Sequence, residues 1–397
     1  MSKLSYLEKL LNGAEVEWKS LGDVVDLQRG RRLVKSQLET SGKYAVYQNS
    51  MTPLGYYHDC NVAAQSSFII CAGAAGEIGY SEDEFWAADD VHFAITPEYI
   101  NGRFLFHFLL TQKNKISGQV RRASIPRLSK SVLEKLEFPI PSPDNPEKSL
   151  AIQSEIVRIL DKFTALTTEL TAELTARKKQ YNYYCDQLLN FDEDIPVVPL
   201  SDCCVSISDG DHQAPPKTDS GVPFITISNV TPSNTIDFEN TYFVADDYYQ
   251  RIHDKRRARK KDILYTVVGS IGIPVYIDFD MKFAFQRHIA ILRTDEQKII
   301  PKYLYHVMRS SAFLKKANSV AVGAAQKTIT LSALNKMNVP IPPIGEQERI
   351  VNILDKFDTL ANSLSEGLPR EIDLRQKQYE YYRDMLFSFP IPEEPEA

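Results

Sequence analysis

The same helical signature occurs twice, about 195 residues apart, and that repeat constrains the fold more than any other feature of the chain. Ile-Val-Arg-Ile-Leu-Asp-Lys-Phe at 156–163 returns as Ile-Val-Asn-Ile-Leu-Asp-Lys-Phe at 350–357. Lys-Gln-Tyr-Asn-Tyr-Tyr at 179–184 returns as Lys-Gln-Tyr-Glu-Tyr-Tyr at 377–382. A Pro-Ile-Pro marker precedes each copy, at 139–141 and 340–342. The period is too long for a solenoid. It implies a duplicated unit, a large variable segment followed by a long helix.

The first helix is expected over about 150–191. Its apolar positions Ile156, Ile159, Phe163, Leu166 and Leu170 step by 3, 4, 3 and 4 residues, which is a heptad seam. The seam passes Leu174 and resumes at Tyr181, Tyr184 and Leu188. The second helix repeats it at Ile350, Ile353, Phe357, Leu360 and Leu364, continues to Leu368 and Ile372, and resumes at Tyr379, Tyr382 and Leu386. One extra four-residue step is a stutter, and Gly367 with Pro369 is expected to kink the helix there. About 40 residues at 1.5 Å each span roughly 60 Å. Two such helices with apolar stripes are expected to pack antiparallel as a coiled coil. Tyr184 and Tyr382 lie on the seam as core residues. Tyr183 and Tyr381 point off it and are candidates for a partner surface.

Residues 6–12 resemble 184–190, so the chain opens like the end of a linking helix. The repeat is therefore circular, and the C-terminal helix should end beside the N-terminus. Inside the variable segments fainter markers keep order. Leu21-Gly22-Asp23 parallels Leu200-Ser201-Asp202, and Gly76-Glu77-Ile78-Gly79 is matched with Gly269-Ser270-Ile271-Gly272. Phe104-Leu105-Phe106-His107 parallels Tyr303-Leu304-Tyr305-His306. Short β-rich runs at 67–71, 222–227, 262–267 and 289–292 make each segment an α+β domain.

Two similar units suit a partner that is nearly two-fold symmetric, of which duplex DNA is the commonest. The net charge of -6 runs against phosphate binding, but basic clusters are local. Residues 251–262 hold seven Lys or Arg against two Asp; Arg29, Arg31, Arg32 and Lys35 form a second cluster, and Arg121, Arg122, Arg127 and Lys130 a third. The five cysteines include no Cys-x-x-Cys, which fits a reduced compartment without disulfides or zinc. There is no signal peptide and no apolar run near 18 residues, so a cytoplasmic protein is expected. No phosphate loop, nucleophile elbow, methyltransferase tetrapeptide or spaced metal-ligand set is present. The seven histidines are scattered and read as surface or framework residues.

These residues match a family. The chain resembles the specificity subunit of type I restriction–modification systems. The resemblance is carried by Pro-Ile-Pro-Pro-Ile-Gly-Glu-Gln-Glu-Arg-Ile-Val at 340–351, by Pro-Ile-Pro-Ser-Pro at 139–143 leading to Gln153, and by the paired Leu-Asp-Lys-Phe. Thr-Glu-Leu-Thr-Ala-Glu-Leu at 168–174 further resembles the four-residue repeats of the type IC subgroup. In the first copy, Pro-Asp-Asn-Pro-Glu-Lys-Ser at 143–149 replaces Gly-Glu-Gln-Glu and reads as a longer lead-in. The resemblance implies an α+β chain with two globular target-recognition domains separated by two long antiparallel helices, related by a pseudo-two-fold circular repeat. The expected division is an N-terminal helical segment (1–14), domain 1 (15–147), a central helix (148–194), domain 2 (195–343), a distal helix (344–392) and an acidic tail (393–397).

The resemblance also implies a non-catalytic subunit that binds a two-part double-stranded DNA site and recruits two methyltransferase subunits and motor–nuclease subunits. S-adenosylmethionine, ATP and Mg belong to those partners, and no cofactor is expected in this chain. The candidate DNA contacts are Arg29, Arg31, Arg32, Arg121, Arg122, Arg256, Arg257, Arg259, Lys260, Gln286, Arg287, Gln326 and Lys327. Gln is suited to adenine and Arg to guanine, and either can hold phosphate. Gln286-Arg287-His288 is matched with Asp90-Val91-His92. A self-sufficient DNA methyltransferase or nuclease is the alternative, and a coiled-coil adaptor without a nucleic-acid role is a third.

Overall fold

The computed structural model describes residues 6–212, 215–324, 326–362 and 367–391. The chain forms two compact units, one of residues 1–168 with 373–397 and the other of residues 169–372.

In the first unit the strand Val16–Ser20 pairs antiparallel with Glu137–Pro141, closing the variable segment at its base. Above that pair stands a four-stranded antiparallel sheet in the order Asp26–Arg29, Val91–Ile95, Ser66–Ile70, Ile78–Ser81. A three-stranded sheet, Gly55–Tyr57, Tyr44–Tyr47, Phe85–Ala87, joins its last two strands in parallel. The helix Gly102–Thr111 starts at Asn101, whose side chain accepts from the Arg103 and Phe104 amides. Its buried Phe104, Leu105 and Phe108 share a core with Phe138, and with Ile152, Ile156 and Leu160 of the long helix Pro146–Leu188.

The second unit repeats this plan. Val197–Pro199 pairs with Asn338–Pro340, and the four-stranded sheet runs Cys204–Asp209, Ile289–Thr294, Ile263–Thr266, Pro274–Tyr276. The three-stranded sheet is Tyr242–Val244, Val222–Ile225, Ala284–Phe285, and the helix is Pro301–Arg309. Leu21 donates its amide to the Leu136 carbonyl (2.7 Å) and Leu200 to that of Met337 (2.9 Å), so the two Leu-x-Asp markers hold one framework position.

The circular closure expected from the repeat is present within the first unit. The helix Tyr6–Leu11 contributes Leu7 and Leu11 to the same core as Leu386, Phe387 and Phe389, and the Trp18 indole donates to the Pro390 carbonyl (2.9 Å).

Several expectations need correction. The long helix begins at Pro146, four residues earlier than its apolar pattern suggests. Asn145 accepts the Lys148 amide on its side chain (3.0 Å), and a proline in the first turn loses no hydrogen bond. The Asp-Asn-Pro stretch is thus a helix start, not a lead-in. The distal helix is broken at Gly367, not kinked; its described parts are Ile344–Asn362 and Leu368–Leu386. Gly367 takes φ +87°, where a Cβ would lie 2.5 Å from the Thr359 carbonyl oxygen, so only glycine fits. Leu364 of the seam and the acidic tail lie outside the described residues.

The seam itself is only half sealed. Phe163 stacks on Tyr382 and Tyr184 on Phe357, each pair with centroids 5.2 Å apart, yet Tyr184 stays 38% exposed. Of the tyrosines on the long helices, Tyr181 is fully buried and Tyr379 nearly so. Three residues earlier than Tyr184 and Tyr382, they turn from the partner helix towards the α+β domain. Tyr183 and Tyr381 are 61% and 67% exposed.

The marker registers also shift. Gly76 donates its amide to Ile70 (2.8 Å) as Gly272 does to Thr266 (2.9 Å), and Gly73 and Gly269 both take φ +79°. Gly73-x-x-Gly76 therefore corresponds to Gly269-x-x-Gly272, three residues from the match made on sequence. Likewise Cys71 donates to the Asp90 carbonyl (2.7 Å) and Val267 to that of His288 (2.9 Å). The counterpart of Gln286-Arg287-His288 is Ala88-Asp89-Asp90, a shift of two.

Candidate nucleic-acid interface

The framework that carries each variable surface is pinned by a repeated buried network. In the first unit, His107 Nε2 lies 3.0 Å from Asp161 Oδ1 and His107 Nδ1 2.9 Å from the Tyr379 hydroxyl. In the second, His306 Nε2 lies 2.9 Å from Asp355 Oδ1 and His306 Nδ1 2.9 Å from the Tyr181 hydroxyl. A carboxylate only accepts, so Nε2 carries the proton and Nδ1 accepts from the tyrosine. A cation closes each set: Arg103 on Asp161 (2.9 Å) and Lys302 on Asp355 (2.7 Å). Gln153 and Gln347, both fully buried, brace the start of each domain helix. Their side-chain oxygens accept the Asn101 and Ile300 amides, each at 2.8 Å.

Burial lowers the pKa of both histidines, and the aspartate bonds only partly oppose it. Burial raises the carboxyls of Asp161 and Asp355, but the bonds from His107 and His306 and the neighbouring cations outweigh it, so both lie below the ordinary range. The unfolded chain therefore binds more protons than the folded one below the ordinary histidine value of about 6.5. Stability should fall as pH drops through 6.5 and continue falling as the carboxylates titrate. A variant with His107→Gln and His306→Gln should show a shallower fall of the urea midpoint between pH 7 and 5. An equally steep fall would exclude the histidines as its source.

At the far end of each four-stranded sheet lies a cleft. The first, about 260 Å3, is lined by Arg29, Cys71, Ala72, Asp89, Asp90, His92, Arg127, Leu128 and Lys130. The second, about 310 Å3, involves Asp209, Val267, Val268, Arg287, His288, Gln326, Thr328 and Leu331. The sequence folds this way because a glycine ends the first strand of each sheet. A Cβ on Gly30 would lie 2.2 Å from the Ala88 oxygen, and one on Gly210 2.1 Å from that of Phe285. Each cleft is overhung by a short hairpin. Arg121 and Arg127 exchange backbone bonds at 2.9 and 3.1 Å, as do Val322 and Thr328 at 2.9 and 2.8 Å. Burial pushes the Cys71 thiol up to about 12, so a thiolate is scarcely populated there at neutral pH.

The structure brings some candidate residues together and ties others down. Arg287 and Gln326, 39 positions apart in the chain, line one cleft, while Gln286 lies outside its lining. Arg121 and Arg122 sit exposed on the first hairpin and Lys327 on the second, where its ammonium donates to Asn318 (3.1 Å). Arg31 and Arg32 are exposed beside the first cleft, and Arg29 Nε donates to the Asp89 carbonyl (2.6 Å). The 251–262 run is largely engaged within its own unit. Arg256 reaches Asp209 (3.4 Å), Arg257 donates to the Gln250 carbonyl, Arg259 pairs with Asp254, and Lys261 pairs with Glu296 (2.7 Å). Lys260 stays exposed without a side-chain partner among the described residues. Arg127, His92 and His288 also line the clefts; Arg127 lay in the third basic cluster and the histidines in the two matched tripeptides, but none was among the candidate contacts. Their convergence on the clefts is visible only once strand hydrogen bonds are known. Among the described residues no His, Cys, Asp or Glu cluster could hold a metal, and no helix is long and apolar enough to cross a membrane.

The chain is 37% identical to the EcoR124I/EcoR124II type I restriction enzyme specificity subunit of Escherichia coli, covering 99% of both chains. It is 36% identical to a putative type I specificity subunit of Haemophilus influenzae, covering 97% of this chain and 98% of that one. Among solved structures it resembles the type I restriction–modification S subunit from M. genitalium, with a TM-score of 0.58, 16% identity and 99% coverage of each chain. A second, from a study of type I complex assembly and conformational transition, aligns with a TM-score of 0.54 and 15% identity over 94% of this chain and 97% of that one. These two likenesses concern the mixed α/β fold with its two repeated domains. The family model described as type I restriction modification DNA specificity domain matches twice, at 14–177 and 197–374, and the chain belongs to that family.

Proposed function

We propose that this chain recognises DNA for a type I restriction–modification complex, as a non-catalytic subunit, with each α+β domain reading one half of a two-part site. The observation that carries this reading is the pairing of a repeated framework with unlike cleft surfaces. His107 and His306, Gln153 and Gln347, and the two Gly-x-x-Gly turns are held alike, whereas the clefts they support carry different side chains. One scaffold with two faces suits two different targets.

Assembly follows the family: methyltransferase and restriction subunits join this chain on DNA. In finer detail, two methyltransferase subunits bind it, with Tyr183 and Tyr381 as exposed contacts, and motor–nuclease subunits add cleavage. S-adenosylmethionine, ATP and Mg serve those partners and none serves this chain, which works in the cytoplasm. The helices pack antiparallel as a coiled coil between domain 1 (15–147) and domain 2 (195–343), and they set the gap between half-sites. The Thr-Glu-Leu-Thr-Ala-Glu-Leu run at 168–174 supports membership of the type IC subgroup. Contacts come from Arg29, Arg31, Arg32, Arg121 and Arg122 in the first domain. In the second they come from Lys260, Gln286, Arg287, Gln326 and Lys327, with Arg256, Arg257 and Arg259 shaping the loop that presents Lys260.

Mapping methylated adenines in cells that carry the complete system tests this reading. The target should be two short half-sites around a fixed gap. Exchanging residues 15–147 for those of a relative should rewrite one half-site and leave the other intact. Rewriting of both halves, or of neither, would sink the assignment of one half-site to each domain.

A further inference from the structure

The two clefts occupy the same framework position, so their linings can be compared residue by residue. The strand register places Arg29 opposite His92 and Asp209 opposite Ala290, which makes Arg29 and Asp209 counterparts. The bonds from Cys71 to Asp90 and from Val267 to His288 make Asp89 the counterpart of Arg287. The hairpin bonds match Arg121 with Val322 and Arg127 with Thr328, and thereby Ile125 with Gln326. At these positions charge and polarity are exchanged between the units, while the backbone bonds around them are kept.

The second cleft has the composition of a reading site. Its lining mixes the apolar Val267, Val268, Ile329 and Leu331 with the polar Asp209, His288, Thr328 and Thr330. Arg287 and Gln326 are exposed at its mouth, and neither side chain has a partner among the described residues. Asp209, by contrast, is already held by His212 (2.9 Å) and Arg256 (3.4 Å). His288 Nδ1 is buried with no hydrogen-bond partner, as is His92 Nδ1 in the first cleft, where His92 is only 7% exposed.

We propose that the matched positions Arg287 and Asp89, with Gln326 and Ile125, are the specificity determinants of the two half-sites. Arg287 reads a guanine and Gln326 an adenine in the major groove of the half-site bound by the second domain. The Arg fork matches the guanine O6 and N7 acceptors, and the Gln amide matches adenine N6 and N7. Asp89 stands where Arg287 does but can only accept, so the first domain selects an exocyclic amino group there, that of cytosine or adenine. Ile125 offers an apolar surface to a thymine methyl. Shared backbone bonds fix the positions from which these exposed side chains project, so changing them redirects readout without unfolding the domain. This inference rests on the proposed role in DNA recognition.

The test uses the chain assembled with its methyltransferase subunits and the duplex target found by methylation mapping. Arg287→Ala and Gln326→Ala should each weaken cognate binding about tenfold to a hundredfold. Binding to random duplex should change less than about twofold, and the salt dependence should be unchanged, because no phosphate contact is lost. Methylation mapping with Arg287→Ala should lose the requirement for one guanine in the second half-site only. Asp89→Ala should relax one position of the first half-site only. Equal weakening on cognate and random duplex, with a salt slope smaller by about one, would make Arg287 a phosphate contact and overturn the proposal. An unaltered methylation motif would overturn it as well. A wild-type complex with no sequence preference at all would instead overturn the proposed function. Both arginine and glutamine are exposed, so an unchanged melting temperature is the control for folding.

Discussion

Replacing Tyr181 with Ala should destabilise the second unit by about 3–5 kcal/mol. Tyr181 is 2% exposed. Its hydroxyl donates to His306 Nδ1 at 2.9 Å, and the Arg309 guanidinium lies 4.0 Å from its ring centre. Truncation opens a cavity and strips the buried imidazole of its donor. It also takes the aromatic face from an arginine whose remaining partners are Asp358 and the Tyr305 hydroxyl. Tyr379→Ala should act in the same direction in the first unit but less strongly. Position 110, which answers Arg309, is leucine there, and Arg383 lies farther from the ring, at 5.7 Å. Tyr183→Ala and Tyr381→Ala should stay within about 0.5 kcal/mol of the parent, because exposed side chains lose little on truncation. Urea unfolding of the full chain measures all four. A loss below about 1 kcal/mol for Tyr181→Ala would show that the network does not anchor the domain to its helix.

Duplicating residues 171–174 should lengthen the gap between the half-sites, most simply by one base pair, and leave both half-sites as they were. Complete loss of modification at the original sites is the expected consequence. The segment lies inside the helix Pro146–Leu188, with Thr171 and Ala172 exposed and Glu173 and Leu174 half-buried, so four more residues extend the helix without opening a core. Four helical residues add about 6 Å and about 40° beyond a full turn. One base pair adds about 3.4 Å and roughly 35°, from about 10 to 10.5 base pairs per turn. The rotations nearly agree, so a domain carried by the longer helix still meets its groove one base pair further on. The lengths agree less well, and the domains must absorb the difference. Methylation mapping that returned the original gap with the longer chain would reduce the helix to a connector.

Much of the framework was legible because its signals are local. Helical periodicity, the Leu-Asp-Lys-Phe pair and the Pro-Ile-Pro markers recur in short windows, and from them follow two α+β segments, two helical stretches and a closed order of elements. The circular closure was read from a seven-residue likeness, and Leu7, Leu11 and Leu386 share one core. The repeated markers that contain His107, Asp161 and Tyr379 were each visible. Their meeting in one hydrogen-bonded set was not, since 272 positions separate the histidine from the tyrosine.

Register was the commonest failure. Matching Gly76 with Gly269 is the best match letter by letter, but turn geometry pairs Gly73 with Gly269, because positive φ and the backbone bonds decide which glycine does which task. The heptad pattern picked Tyr184 and Tyr382 as core, yet each helix packs on two neighbours at once. The domain side buries Tyr181 and Tyr379, which lie on the same seam, more deeply than the helix side buries Tyr184.

By itself the sequence determined that this chain is a duplicated, circularly ordered pair of α+β units on long helices, and that its basic residues fall in three clusters. Those properties depend on residue type and spacing along one strand or one helix. Only the tertiary structure decided which of the candidate side chains already have partners within the chain. Arg256, Arg257 and Arg259 are held by Asp209, Gln250 and Asp254, whereas Arg287 and Gln326 converge unpaired on one cleft. Availability is a property of partners brought together by folding, and strand register across a sheet, not proximity in the chain, chooses those partners.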